Sequence, residues 1–225
     1  MEIIKDIPLI LDPEEIRKKL RLERTRDWNL VQTLLESAKP LIAAKAVYEV
    51  SYVNEKSEDA VIVDETLFKS RVLRKNLDNV GRVFPYIVTI GNNLEDKSSA
   101  SKDLLDQYYL DVIGNIALIK ARKHLENQLC SKYALDGVSY MSPGSLKDWP
   151  IEEQQPLFAI LNGAETSIGV TLNKSLTMIP KKSISGIFFT VKTSFYSCQL
   201  CPRKHCEGRK ARYSEDLSRE YGLLK

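Results

Sequence analysis

At 225 residues the chain is long enough for one sizeable core, or a core with a small appendage. Its 43% hydrophobic and 28% charged residues are ordinary for a soluble globular protein. No apolar run approaches the ~18 residues that span a bilayer. The N-terminal MEIIKDIPLILDPEE lacks the basic start and small-residue cleavage site of a secretory signal, so the expected location is cytoplasmic. The net charge of +3 is unevenly spread: residues 170–213 carry nine Lys or Arg against one acid, Glu207. A basic end on an acidic body points to an anionic ligand, cofactor or partner surface, or to a solvated face.

Asp12-Pro13-Glu14-Glu15 reads as a helix start, with Asp12 able to cap, Pro13 suited to the first turn and Glu15 at the capping-box position. Ile16 and Leu20, then Trp28, Val31, Leu34, Leu35 and Ala38, predict two short amphipathic helices ending before Pro40. Residues 43–53 and 60–64 are rich in strand formers, which predicts two strands around a polar turn at 54–59. Residues 68–77 are basic and weakly helical, and 82–90 predict a third strand ended by Gly91. The longest helix is expected over about 102–130. There Leu105, Tyr108, Tyr109, Val112, Ile113, Ile116 and Ala117 recur at three- and four-residue steps, the pattern of a core-facing stripe. A loop at Tyr140-Met141-Ser142-Pro143-Gly144 follows, then a short acidic helix over 151–161. Residues 167–172 and 183–193 read as strands, and 214–223 as a terminal helix. Helices around strands without a βαβ rhythm favour an α+β fold.

Of the four cysteines, Cys130 stands alone, while Cys198, Cys201 and Cys206 form a C-x2-C-P-x3-C cluster. In a reducing compartment such a cluster reads as a metal site rather than a disulfide framework. Two thiolates at this spacing can converge on one centre, and a third can reach it from a short loop. The proline after Cys201 is familiar from ferredoxin-type sequences. Arg203, Lys204, Arg209, Lys210 and Arg212 would offset the charge of bound thiolates and favour ligation. Three readings stand here: an iron–sulfur cluster, with Cys130 or a non-cysteine group as the fourth ligand; zinc, with His205 as a nominal fourth ligand; or free thiols.

Two further blocks are informative. One is Ser142-Pro143-Gly144 followed by Asp148-Trp149-Pro150-Ile151-Glu152-Glu153-Gln154. The other is Ile168-Gly169-Val170-Thr171-Leu172-Asn173-Lys174-Ser175, continuing through Met178, Pro180 and Ser183-Ile184-Ser185-Gly186. In this order and spacing they resemble the reactivation (activation) domain of cobalamin-dependent methionine synthase, in a free-standing form with its own cysteine cluster. The resemblance implies a C-shaped α+β domain over residues 1–194, a bent antiparallel sheet flanked by helices. Residues 195–225, the cysteine segment and terminal helix, would pack on the same domain. It also implies a groove formed by Tyr140, Ser142, Pro143, Gly144, Ser175 and Met178. That groove would cover a corrinoid (cobalamin) carried by a corrinoid protein or a methionine synthase cobalamin module. In that family S-adenosylmethionine remethylates cobalt after one-electron reduction. The family's Arg before the Pro-Gly, its Tyr after it and its long-helix Glu align with Tyr140, Ser145 and Ile119. Weak S-adenosylmethionine binding is therefore expected.

The function expected from these features is that of an auxiliary protein. It would dock on a corrinoid protein and support reductive reactivation of the cobalt for methyl transfer, with a cluster on Cys198, Cys201 and Cys206 taking electrons from a donor protein. One alternative is an S-adenosylmethionine-binding subunit of a split methionine synthase. Another is a zinc-stabilised module whose basic end contacts nucleic acid. Against that last reading, Phe188, Phe189, Phe195 and Tyr196 sit on a strand-like run better suited to the core than to stacking on bases. No membrane partner is expected.

Overall fold

The run Val83-Phe84-Pro85-Tyr86-Ile87-Val88 has no polar face to show water, and the fold gives the reason. It lies in the middle of a sheet covered on both sides. The computed structural model describes residues 1–22, 25–191, 194–206 and 208–224, without the side chains of 25–27. In chain order it has β1 (Glu2–Ile4), α1 (Pro13–Leu20), α2 (Thr25–Ala38), β2 (Lys45–Tyr48), β3 (Ser51–Lys56), β4 (Ala60–Val63), β5 (Thr66–Lys69) and α3 (Arg71–Asn76). Then come β6 (Arg82–Thr89), α4 (Asn93–Ala100), α5 (Leu104–Lys132), β7 (Val138–Met141), α6 (Gln154–Ile160) and α7 (Ala164–Ile168). The chain closes with β8 (Thr171–Leu172), β9 (Met178–Ile179), β10 (Ser183–Thr190) and α8 (Glu215–Glu220).

All strand pairs are antiparallel. β10 runs along one edge of β6, from Ser183↔Thr89 to Phe189↔Val83. The other edge of β6 is shared: β2 pairs with residues 86–89 and β3 with 82–83. The break between β2 and β3 falls beside Pro85, whose carbonyl accepts from Glu49 N at 3.0 Å. Pro85 has no N–H to give, so a central strand tolerates it only where the neighbour bends away. This is the physical origin of the bend, which a register shift between Val53 and Glu55 continues into β4.

Alternation along the central strands serves two cores. Ala46, Tyr48, Phe84, Tyr86, Val88 and Phe188 face α1, α2 and α5. Val47, Val83, Ile87, Ile187 and Phe189 face α3, α6, α7 and the buried Trp149. The fold is α+β, a bent antiparallel sheet flanked by helices, as the sequence predicted. Asp12 caps α1 by accepting from Glu14 N at 3.0 Å. Phe195 stacks on Tyr221 at 5.9 Å, and Arg71 and Lys75 donate to the carbonyls of Gly222 and Glu220, so the C-terminal segment lies against α3.

Several expectations are corrected. Residues 43–53 form parts of two strands because of the break beside Pro85. β1, β5 and α4 went unpredicted; three to eight residues give little periodicity. Tyr140 and Met141 belong to β7, not to a loop, because they pair with Phe188 and Ile187 far along the chain. In 167–172 only Thr171–Leu172 is strand; α7 runs to Ile168 and stops at Gly169, whose φ of 75° suits a left-handed cap. On α5 Leu105 and Tyr108 are exposed, and the buried stripe instead continues through Ala121, Leu125 and Leu129. The predicted strand 183–193 ends at Thr190, and positions 192 and 193 lie outside the described residues.

Candidate functional site

The site is organised by β7 and the turn after it. Pro143 presets the second turn position, Gly144 takes φ 78° at the third, and Ser145 N donates to Ser142 O at 3.1 Å. Asp148 ties this turn to α3: its carboxylate accepts from Ser70 Oγ at 2.6 Å, Val72 N at 2.9 Å and Arg71 Nε at 3.2 Å. Trp149 is fully buried, Glu153 accepts from Lys69 N, and the buried Gln154 accepts from Ser185 Oγ at 2.6 Å. Much of the first block is thus scaffolding. In the second, Asn173 Oδ1 accepts from Ser175 N and Thr177 N, closing the β8–β9 hairpin. Gly186 lies where β7 ends against β10, and a Cβ there would collide with Met141 O.

Three cavities follow this edge. The largest, about 640 Å³, lies between α5, β7 and residues 194–196, with Arg122, Glu126, Asp136, Tyr140 and Lys210 in its wall. A second, of about 160 Å³, shares Tyr140, Phe195, Tyr196 and Lys210 with it and reaches Cys198. The third, about 270 Å³, shares Ser142 with the second and is lined by Pro143, Ile151, Gln154, Met178 and Ser183–Ser185. β7 covers β10 only from Ile187 onward, and Ser183, Ile184 and Ser185 beyond its end line the third cavity.

Tyr140 is the junction. Its ring lies 4.1 Å from the Arg122 guanidinium carbon, and its hydroxyl takes a hydrogen bond from Lys210 Nζ at 2.6 Å. Arg122 is almost wholly buried and pairs with Glu126 at 3.0 Å, a bond that lets the charge survive burial. Beneath lie the hydroxyls of Tyr86 and Ser142, both buried and neither in a hydrogen bond of good geometry. Burial holds the Tyr86 phenol well above the ordinary tyrosine value.

The cysteine segment begins with a 3-10 turn, Ser197–Leu200, in which Cys201 N donates to Cys198 O at 3.3 Å. Cys201, the extended residue after the turn, packs against the core on the Trp149 side of the sheet, whereas Cys198 lines the second cavity. Arg209 donates to the carbonyls of Cys198, Cys201, Arg203 and Ala211, and Lys210 N lies 3.4 Å from Cys198 Sγ. Cys206 is exposed. Among the described residues no three His, Cys, Asp or Glu side chains are gathered to hold a metal. Cys130 sits at the end of α5, where burial first and Glu126 second hold its thiol above the ordinary value, partly offset by Lys123.

The chain is similar to a solved structure described as the crystal structure of the MetH reactivation domain bound to AdoHcy. The TM-score is 0.54 at 13% identity, over 98% of this chain and 85% of that one. This chain has the reactivation-domain fold. No protein-family model matches the sequence, and no curated protein matches it.

Of the predicted groove residues, Tyr140, Ser142, Pro143 and Met178 line the cavities. Gly144 and Ser175 are not among the lining residues: Gly144 holds the turn, its Cβ direction facing Ile151, and Ser175 lies in the Asn173 turn. Cys198 reaches the groove, while Cys201 and Cys206 do not line it. Ile119 is exposed on α5, three residues before Arg122. Sequence reasoning missed Arg122 and Glu126, and read Lys210 only as a cation flanking the thiols, without its bond to Tyr140. An Arg on the apolar stripe of a helix, with a Glu four residues on, was the available signal for the first two. Among the described residues no helix is long and apolar enough to cross a membrane.

Proposed function

We propose that this chain docks on a corrinoid protein and supports the reductive return of its cobalt to the methyl-accepting state. The observation that carries this is the fold likeness over 98% of the chain, with cavities built from both sequence blocks along one sheet edge. A corrinoid offers a broad, largely apolar face rimmed by amides. Ile151, Met178 and Ile184 supply apolar contact, and the exposed Thr177 and Lys181 beside them supply polar groups. The methyl-accepting chemistry belongs to the partner's corrinoid; this chain supplies position and environment. Cys198, Cys201 and Cys206 would hold an iron–sulfur cluster, which when bound supplies one-electron transfer. The donor types suit it, and Cys198 opens toward the groove, although the three thiols are not gathered among the described residues. The basic segment around them would steer an acidic partner, an effect that salt weakens. Residues 1–194 would then serve as the docking body and 195–225 as its redox segment.

The test is an anaerobic, low-salt titration of a Co(II) corrinoid protein, followed by its cobalt absorption. Binding with a spectral change is expected, lost in Met178→Glu. A matched corrinoid protein that neither binds nor changes spectrum sinks the proposal. Anaerobic iron and sulfide reconstitution tests the cluster separately: a broad thiolate–iron band is expected in the wild type and not in Cys198→Ala/Cys201→Ala. A colourless protein with stoichiometric zinc would refute it.

A second reading is favoured by the charged wall of the 640 Å³ cavity. The Arg and Glu expected at Tyr140 and Ile119 are missing, but Arg122, Lys210, Glu126 and Asp136 stand nearby. They suit a zwitterionic ligand such as the amino-acid end of an S-adenosyl compound. Calorimetry with S-adenosylhomocysteine decides it: binding weakened by Glu126→Gln supports this reading, and absent binding removes it.

A further inference from the structure

We infer that Lys210 is a positioning residue that couples the thiol loop to the groove. Its backbone N lies 3.4 Å from Cys198 Sγ and its side chain donates to Tyr140 OH at 2.6 Å, so one residue grips both parts. The grip is stiff at each end. On the groove side, the Tyr140 ring is fixed edge-on to Phe188 at 5.9 Å and lies over Arg122, itself buried and paired with Glu126. On the loop side, Arg209 gathers the carbonyls of Cys198, Cys201, Arg203 and Ala211, so the loop turns around its guanidinium as a unit. Lys210 follows directly on Arg209, and its N–H is the group that faces the Cys198 thiol.

The two cavities on either side share Tyr140, Phe195, Tyr196 and Lys210 as a common wall. Lys210 has no carboxylate partner among the described residues. An anionic group entering the larger cavity competes with Tyr140 for the ammonium, and drawing it away pulls on the segment that holds Cys198. By linkage, a change of state at Cys198 alters the cavity in return. Sequence alone places Lys210 and Tyr140 seventy residues apart. This coupling rests on the proposed role of the cysteine segment in the same site.

Site-resolved alkylation of the reduced, metal-free protein with iodoacetamide, read by mass spectrometry, tests it without corrinoid or metal. Tyr140→Phe keeps the ring and removes the hydroxyl; Lys210→Met keeps the stem and removes the ammonium. Either is expected to speed alkylation of the half-buried Cys198 by roughly two- to ten-fold, the factor one hydrogen bond's net contribution sets. Exposed Cys206 stays unchanged, Lys210→Arg restores most of the protection, and the double variant is no faster than the single ones. An unchanged Cys198 rate, or Cys198 and Cys206 rising together as in general loosening, overturns the inference. Because no corrinoid is present, that result leaves the docking proposal standing, and a failed docking titration leaves the coupling standing.

Discussion

Replacing Asp148 by Ala tests whether the first sequence block is scaffolding for the groove turn. The carboxylate side chain is 7% exposed and accepts three hydrogen bonds from α3 and its cap. Those from Ser70 Oγ and Val72 N are sheltered; at about 1.5–3 kcal/mol for each bond to a charged group, they total roughly 3–6 kcal/mol. The Arg71 partner is half exposed, and solvent screening limits that pair to at most about 1 kcal/mol. For a chain of this size each kcal/mol lowers Tm by about 2–4 °C, so a fall of roughly 6–24 °C is expected by calorimetry or circular dichroism. The effect has a second signature. Ser70 Oγ donates to Asp148 and also accepts from Leu73 N at 2.9 Å, so Asp148→Ala and Ser70→Ala act on one network. Their effects are expected to be non-additive by about 1–3 kcal/mol in a double-mutant cycle. A Tm change below about 2 °C, or strictly additive effects, would refute the argument, because two sheltered charge-assisted bonds cannot be that weak.

Gly186→Ala should destabilise by about 1–3 kcal/mol or more, since its Cβ meets the Met141 carbonyl and β7 must move; an unshifted urea midpoint would contradict that crossing geometry. Tyr221, whose hydroxyl donates to Asn76 Oδ1 at 3.0 Å, has its ionisation pushed up to about 12, by burial first and then by Glu220 and Asp78. A neutral phenol favoured by the fold stabilises fully below its unfolded value of about 10 and loses that contribution as pH rises toward the folded value. The wild type should therefore lose stability relative to Tyr221→Phe between about pH 10 and 12, and a difference constant over that range would show that the tyrosine is not held this way.

The sequence by itself determined the long central helix, the capped first helix, the apolar strand 82–89 and the Pro-Gly turn. Each is set by residues within a few positions of one another: a periodic stripe, a cap, a run without polar breaks, a proline beside a glycine that accepts positive φ. The two blocks carried the fold as well, through their resemblance to a known family, and the Asp148, Trp149 and Gln154 contacts show what those residues do in it. The tertiary structure alone decided what depends on distant pairing. Tyr140 reads as loop until β10 supplies its partner strand. Residues 43–53 read as one strand until Pro85, some forty positions away, refuses a hydrogen bond. Arg122 and Glu126 read as part of a helix, and Lys210 as one more cation in a basic tail. Only when α5, β7 and the C-terminal segment meet around the Tyr140 ring do they become one wall beside Cys198, because contact across the sheet edge depends on the closed fold and leaves no periodic trace in the chain.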